Sequence, residues 1–203
     1  MSATGLGKSV RRKEDFRFIT GRGQYTDDIA RPGQVYAAFV RSPHAHAAIN
    51  HVETKAAAAM PGVLAVLTGT EFAADKLGSL ICGWMIHSKD GSPMKMAAHP
   101  ALANGKVCYV GEPVAVVIAE SLGQARDAVE NVEVDYNVLP AVIDPAGAQA
   151  AGVPQIHDVA PKNTIFEWHL GDAEATGAAL RGAKHITRFD LRNNRLAPNA
   201  IEP

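Results

Sequence analysis

Residues 114–119 are apolar and mostly β-branched, bounded by Pro113 before and Glu120 after. The run is too short for a membrane helix, and its composition predicts a buried strand. Ser121 follows as a natural N-cap with Gln124 three residues on, and Leu122, Ala125, Ala128 and Val129 recur at helical spacing. A helix is predicted directly after the strand. Val132 and Val134 then alternate with Glu133 and Asp135 across residues 131–136, ahead of Leu139-Pro140, which predicts a half-exposed strand. Strand, helix and strand form the backbone of the domain.

Upstream of this unit, residues 11–28 mix charges with Phe16, Phe18, Ile19 and Tyr25 and are broken by Gly21-Arg22-Gly23. An irregular arm pinned by its aromatics is expected there. Pro32-Gly33 is a turn, residues 35–40 a strand stopped by Arg41-Ser42-Pro43-His44, and residues 47–52 a second short strand. Thr54 caps an alanine-rich helix that Pro61-Gly62 ends, and residues 63–67 return as a strand. This order predicts a mixed domain with helices over one face. The excursion over residues 69–105 carries Trp84, Met85, Met94 and Met96 among glycines and prolines. Loops of that length are functional, disordered or docked, and the apolar side chains favour docking.

Beyond the second strand of the unit, residues 141–162 shift to Ala, Gly and Pro without periodicity, the pattern of a surface linker. Residues 164–170 read as a strand, Gly171-Asp172 as the cap of a helix through residue 180, and residues 185–192 as an alternating strand. Residues 193–203 hold no stop signal, so the sequence is expected to be cut within a second domain.

A length of 203 residues with 47% hydrophobic content provides for a real core and one sizeable domain with a second piece attached. The formal charge of -1 and a pI near 6.7 give no electrostatic reason to bind nucleic acid or anionic lipid. No run is long and apolar enough for a membrane span, and the first ten residues lack the apolar segment of a secretory signal. The cytoplasm is therefore expected, and the widely separated Cys82 and Cys108 suit a reducing compartment.

Candidate chemistry is sparse. Gly7-Lys8-Ser9 resembles the end of a phosphate-binding loop, but Ser2 stands where its first glycine belongs and no strand precedes it. The dinucleotide fingerprint fails at Thr26. His44, His46 and His51 form the densest histidine group, without an identifiable set of converging ligands. Cys82, His87, His99 and Cys108 have the ligand types of a structural zinc site but no close Cys pair, which also excludes a conventional iron–sulfur cluster held by this chain alone. Glu112, fixed between Gly111 and Pro113, has two readings: a general base with a raised pKa, or, the one favoured, a carboxylate that accepts backbone hydrogen bonds and fixes its turn. Ser42 and Ser121 are accounted for by turn and cap chemistry.

Several ordered motifs covering nearly the whole chain carry a resemblance that composition and periodicity do not. They are Arg12-Lys13-Glu14-Asp15, Gly21-Arg22-Gly23-Gln24-Tyr25-Thr26-Asp27-Asp28 and Phe39-Val40-Arg41-Ser42-Pro43-His44-Ala45-His46-Ala47. They continue with Met60-Pro61-Gly62-Val63, Tyr109-Val110-Gly111-Glu112-Pro113-Val114-Ala115, Val132-Glu133-Val134-Asp135-Tyr136 and Asn194-Arg195-Leu196-Ala197-Pro198-Asn199. Together these resemble the molybdenum-binding large subunit of the xanthine dehydrogenase and aldehyde oxidase family, most of all its aerobic carbon monoxide dehydrogenase branch.

The resemblance implies an α+β fold: a flexible N-terminus over residues 1–11, an α/β hammerhead domain over 12–140, a linker over 141–163, and the start of a truncated molybdopterin-binding domain over 164–203. It implies a parent enzyme with a molybdopterin-type molybdenum cofactor. That enzyme oxidises carbon monoxide, aldehydes or N-heterocycles and passes electrons to iron–sulfur clusters and flavin on partner subunits. Family large subunits are several times longer, so no catalytic, cofactor-binding or metal-binding residue carries over, and the isolated chain is expected to be inactive. Residues after about 183 are expected to be poorly ordered or rescued by self-association. Candidate contacts with the remaining molybdopterin domains and the iron–sulfur subunit are Arg41, His44, Gly111 and Glu112. Trp84, Met85 and Met94 are candidates for docking or a channel wall, with plain packing as the alternative. A separately encoded small subunit and a non-catalytic binding module are the competing readings.

Overall fold

The structure, a computed structural model, describes residues 7, 9 and 11–191. The chain divides into two compact units, Val35–Ile186 and a smaller one of Met1–Gln34 with Thr187–Pro203. In the smaller unit a one-turn helix, α1 (Asp15–Ile19), and a 3-10 turn at Thr26–Asp28 replace the expected irregular arm. Phe18 stacks on Tyr25 with ring centroids 5.4 Å apart, while the Arg12 and Arg17 guanidiniums lie 5.7 and 5.0 Å from the Phe18 ring. The helix forms without a side-chain cap and buries no residue, which is why amphipathic spacing did not announce it.

The larger unit contains two antiparallel sheets of three strands each. Its elements are β1 (Tyr36–Arg41), β2 (Ala47–Glu53), α2 (Lys55–Ala58), β3 (Val63–Thr68), α3 (Gly69–Ala74), β4 (Lys106–Val107), β5 (Pro113–Ala119), α4 (Leu122–Val129), β6 (Glu133–Val138) and α5 (Ala173–Gly182). One sheet has the order β1-β5-β3 and the other β4-β2-β6. The apolar run is thus the central strand of its sheet, paired on both edges, and Val114 and Val117 are fully buried. Burying one such valine stabilises the fold by about 1.5–3 kcal/mol. The strands on either side of α4 belong to different sheets, β5 to the first and β6 to the second.

Helix α4 forms where its sequence indicates. The Ser121 hydroxyl accepts the Gln124 N–H at 3.3 Å and donates to the Gln124 Oε1 at 2.7 Å. Ala125 and Ala128 are the buried residues of this helix, and their small side chains allow it to lie close on the first sheet. Ala128 joins Ala57, Ala115, Val117 and Val132 in one core cluster, while Ala47, Ala103, Val107 and Val114 form a second. Val52 on β2 and Val134 on β6 pack against both clusters.

The excursion opens with α3, which the sequence reading passed over. Thr68 and Glu71 make a reciprocal capping box, with Glu71 Oε2 accepting the Thr68 N–H at 2.8 Å and the Thr68 hydroxyl as well. The expected strand over residues 164–170 does not form. Instead the Lys95 N–H reaches the Ile165 carbonyl at 3.0 Å and the Lys89 N–H the Glu167 carbonyl at 2.9 Å. The facing segment is a turn closed by the His87–Pro93 bridge. Pro93 has no N–H to extend a ladder, so the pairing stays sporadic. Residues 185–191 likewise lack strand structure, since among the described residues no strand edge pairs with them. Residue 192 and the motif at 194–199 lie outside the described residues. Helix α5 starts as expected, with the Asp172 carboxylate accepting the Ala175 N–H at 2.9 Å.

Candidate functional site

Two turns meet at the end of the first sheet. Register slips between Val40 and Arg41, which pair with Ala115 and Pro113 and leave Val114 as the extra residue of a bulge. Beyond it, the Ser42 N–H donates to the Glu112 carbonyl at 2.9 Å and the Gly111 N–H to the Ser42 carbonyl at 2.8 Å. Arg41 Nη1 donates to the Gly111 carbonyl at 2.9 Å. Gly111 sits at φ +85°, a left-handed conformation that glycine adopts without strain. Glu112, 6% exposed, closes the second turn by accepting the Cys108 N–H on Oε2 at 2.5 Å. On the first turn the Ser42 hydroxyl accepts the His44 N–H at 3.0 Å, and the His44 ring meets Tyr136 edge-on with centroids 5.0 Å apart.

Beside these turns lies an open cleft of about 650 Å³. Lys106, Cys108, Tyr109 and Glu112 line it from the strand-turn segment. Leu80, Ile81, Met94 and Met96 line it from the excursion, with His157 and Val159 from the later segment. Lys106 Nζ fastens the later segment by donating to the Ile156 carbonyl at 2.8 Å, and it lies 3.9 Å from the Asp158 carboxylate. His99 Nε2 and the Tyr109 hydroxyl are 3.2 Å apart. Burial pushes the Cys108 thiol and the Tyr109 phenol up, and the Glu112 charge adds to both shifts. Burial, reinforced by the Lys106 charge, pushes the His157 imidazole down. The His157 wall is thereby held toward its neutral form.

The candidate contacts separate into groups. Arg41, His44, Gly111 and Glu112 come together at the paired turns. Met94 and Glu112 both line the cleft, whereas Trp84 and Met85 lie outside its lining and are 78% and 43% exposed. Lys106, Tyr109 and His157 are cleft residues that sequence reasoning missed. Lys106 and His157 are some fifty positions apart, and the Lys106 contacts with Ile156 and Asp158 bring them to one wall.

The histidine group disperses. His46 donates from Nδ1 to the Pro140 carbonyl at 2.7 Å, leaving its buried Nε2 without a hydrogen-bond partner, and His51 lies 3.7 Å from Glu53. Cys82, His99 and Cys108 line the cleft, but among the described residues no three His, Cys, Asp or Glu side chains converge as metal ligands. Among the same residues no helix is long and apolar enough to cross a membrane.

Comparison with known proteins matches this architecture. The family model described as the aldehyde oxidase and xanthine dehydrogenase a/b hammerhead domain covers residues 20–140. The chain is 37% identical to the carbon monoxide dehydrogenase large chain of Afipia carboxidovorans, over 98% of its own length and 25% of that protein. It is 35% identical to the nicotine 6-hydroxylase large subunit of Paenarthrobacter nicotinovorans, over 97% of its own length and 23% of that protein. A solved Cu,Mo carbon monoxide dehydrogenase in its carbon monoxide reduced state superposes with a TM-score of 0.69 at 35% identity, over 89% of this chain and 23% of that one. The chain thus spans about a quarter of the length of these curated relatives. With both sheets, α4 and the paired turns inside the matched region, the chain belongs to the aldehyde oxidase and xanthine dehydrogenase family, of which it carries the α/β hammerhead domain.

Proposed function

We propose that the chain is the hammerhead portion of a molybdenum hydroxylase large subunit, and that its own role is to dock the parts that carry out the chemistry. The observation that carries this reading is the apolar surface of the excursion, where Leu80, Ile81 and Trp84 are 62%, 92% and 78% exposed. Covering a large apolar side chain is worth about 1.5–3 kcal/mol, and neighbouring exposed apolar groups mark interaction surfaces. Arg41, His44, Gly111, Glu112, Trp84, Met85 and Met94 are the contact residues in this reading. Residues 164–203 open the next domain.

The complete enzyme oxidises carbon monoxide, an aldehyde or an N-heterocycle in the cytoplasm, and electrons leave for iron–sulfur and flavin centres on partner subunits. Its molybdopterin-type cofactor supplies the redox chemistry and belongs to the further domains. Among the described residues of this chain no His, Cys, Asp and Glu side chains converge as a metal ligand set.

Co-expression with a candidate iron–sulfur subunit and the downstream molybdopterin domains tests the reading by native mass and metal analysis. A complex containing the chain, molybdenum and iron is expected. A chain that stays alone and metal-free in that mixture overturns it.

A further inference from the structure

We infer that the cleft bounded by Glu112 is a socket for a basic side chain, carried on an apolar segment of the domains that complete the subunit. The inference rests on the docking role proposed above and adds to it the place and chemistry of one contact.

Glu112 is a buried carboxylate of the cleft, 6% exposed, and its Oε2 accepts a single backbone N–H, that of Cys108. A carboxylate offers about four acceptor positions, and a buried one is costly to hold without a cation or several donors. Among the described residues no cation lies within ion-pair distance of Glu112. The two lysines of the cleft are directed elsewhere: Lys106 Nζ donates to the Ile156 carbonyl at 2.8 Å and Lys95 Nζ to the Thr164 carbonyl at 3.3 Å. His157, held toward its neutral form, does not supply the missing charge.

The rest of the cleft suits the stem and flanks of such a side chain. Met94, Met96 and Tyr109 line it, and an aromatic ring accepts a stacked planar guanidinium better than a compact ammonium. Leu80, Ile81 and Val159 also line the cleft and are exposed. A small free cation would leave these side chains in water, whereas a polypeptide segment covers them as it inserts its charge. The relatives are about four times the length of this chain, and their remaining length is the source of that segment.

The test measures the affinity between the chain and the downstream domains for the wild type, Glu112→Gln and Ile81→Glu. Glutamine keeps an oxygen for the Cys108 N–H and removes the charge, so this variant retains the wild-type circular dichroism and unfolding midpoint. Its affinity falls about tenfold to a hundredfold, the value of a charge-assisted hydrogen bond. Ile81 is 92% exposed, so its replacement by glutamate leaves the fold intact and weakens docking about tenfold or more by placing a carboxylate at an apolar contact. Undiminished docking by both variants overturns the socket and leaves the docking role standing. A wild-type chain that does not associate with the downstream domains overturns the docking role itself. Titration of the isolated chain with ethylguanidinium provides the remaining arm: tight saturable binding there, with docking indifferent to Glu112→Gln, assigns the cleft to a free small cation and overturns the polypeptide occupant.

Discussion

The carbonyl oxygen of Ala103 lies 2.2 Å from the position that a Cβ on Gly69 would occupy. Gly69 begins α3 at the start of the excursion, and Ala103 stands near its end, with its N–H donating to the Pro113 carbonyl at 2.7 Å. The contact brings the two ends of the excursion together at the base of β5. Gly69→Ala must displace backbone rather than a flexible side-chain tip, and a loss of about 1–3 kcal/mol in urea unfolding is expected. Gly123→Ala in α4 meets nothing within 4 Å and should instead stabilise by about 0.5 kcal/mol. Equal effects of the two substitutions would contradict the close approach at Gly69.

Glu112 should reveal its two duties separately. Glu112→Ala leaves the part-buried Cys108 N–H without its acceptor and should cost about 1–3 kcal/mol, while Glu112→Gln retains an acceptor and should leave the unfolding midpoint unchanged. The charge is reported by the Cys108 thiol, which burial raises most and Glu112 raises further. In a Cys82→Ser background, the pH midpoint of Cys108 alkylation should move down in the Gln variant yet remain above that of an exposed thiol. An unmoved midpoint would show that the carboxylate and thiol are not electrostatically coupled.

His157 supplies a pH dependence with a defined sign. Its folded pKa lies below the ordinary histidine value, first through burial and then through Lys106. The unfolded chain therefore takes up the proton first as pH falls, and the stability contributed by the neutral imidazole is lost from about pH 6.5 downward. Urea unfolding between pH 7.5 and 5 should show stability decreasing toward acid, with a shallower slope for His157→Gln. The same slope in wild type and variant would remove His157 as its source.

What the sequence made legible was mostly local. The run at Val114–Ala119, the Ser121 cap and the alternation of Val132 and Val134 each depend on neighbours within a few positions, and each led to its element. The Thr68–Glu71 capping box was equally local and was overlooked among the glycines that follow it. The strand expected over 185–192 is different: Thr187, Phe189 and Leu191 alternate properly, but alternation becomes a strand only when an edge is available. The separation of β5 and β6 into different sheets is likewise a matter of tertiary pairing, which the period of neither segment encodes. At the candidate site, the Gly111-Glu112-Pro113 turn could be read from its residues. The cleft could not, because His157 and Lys106 meet through tertiary contacts of Lys106 with Ile156 and Asp158.

Val52 and Val134 pack into both core clusters, and this sharing governs how the larger unit opens. Neither sheet can expose its interior without stripping contacts from the other, so β2, β5 and β6 form one cooperative unit of amide protection. The excursion between α3 and β4, joined by scattered bonds and rich in exposed side chains, can breathe without them. The docking surface proposed for the excursion can thus reshape itself to fit a neighbour while the body that presents it stays rigid.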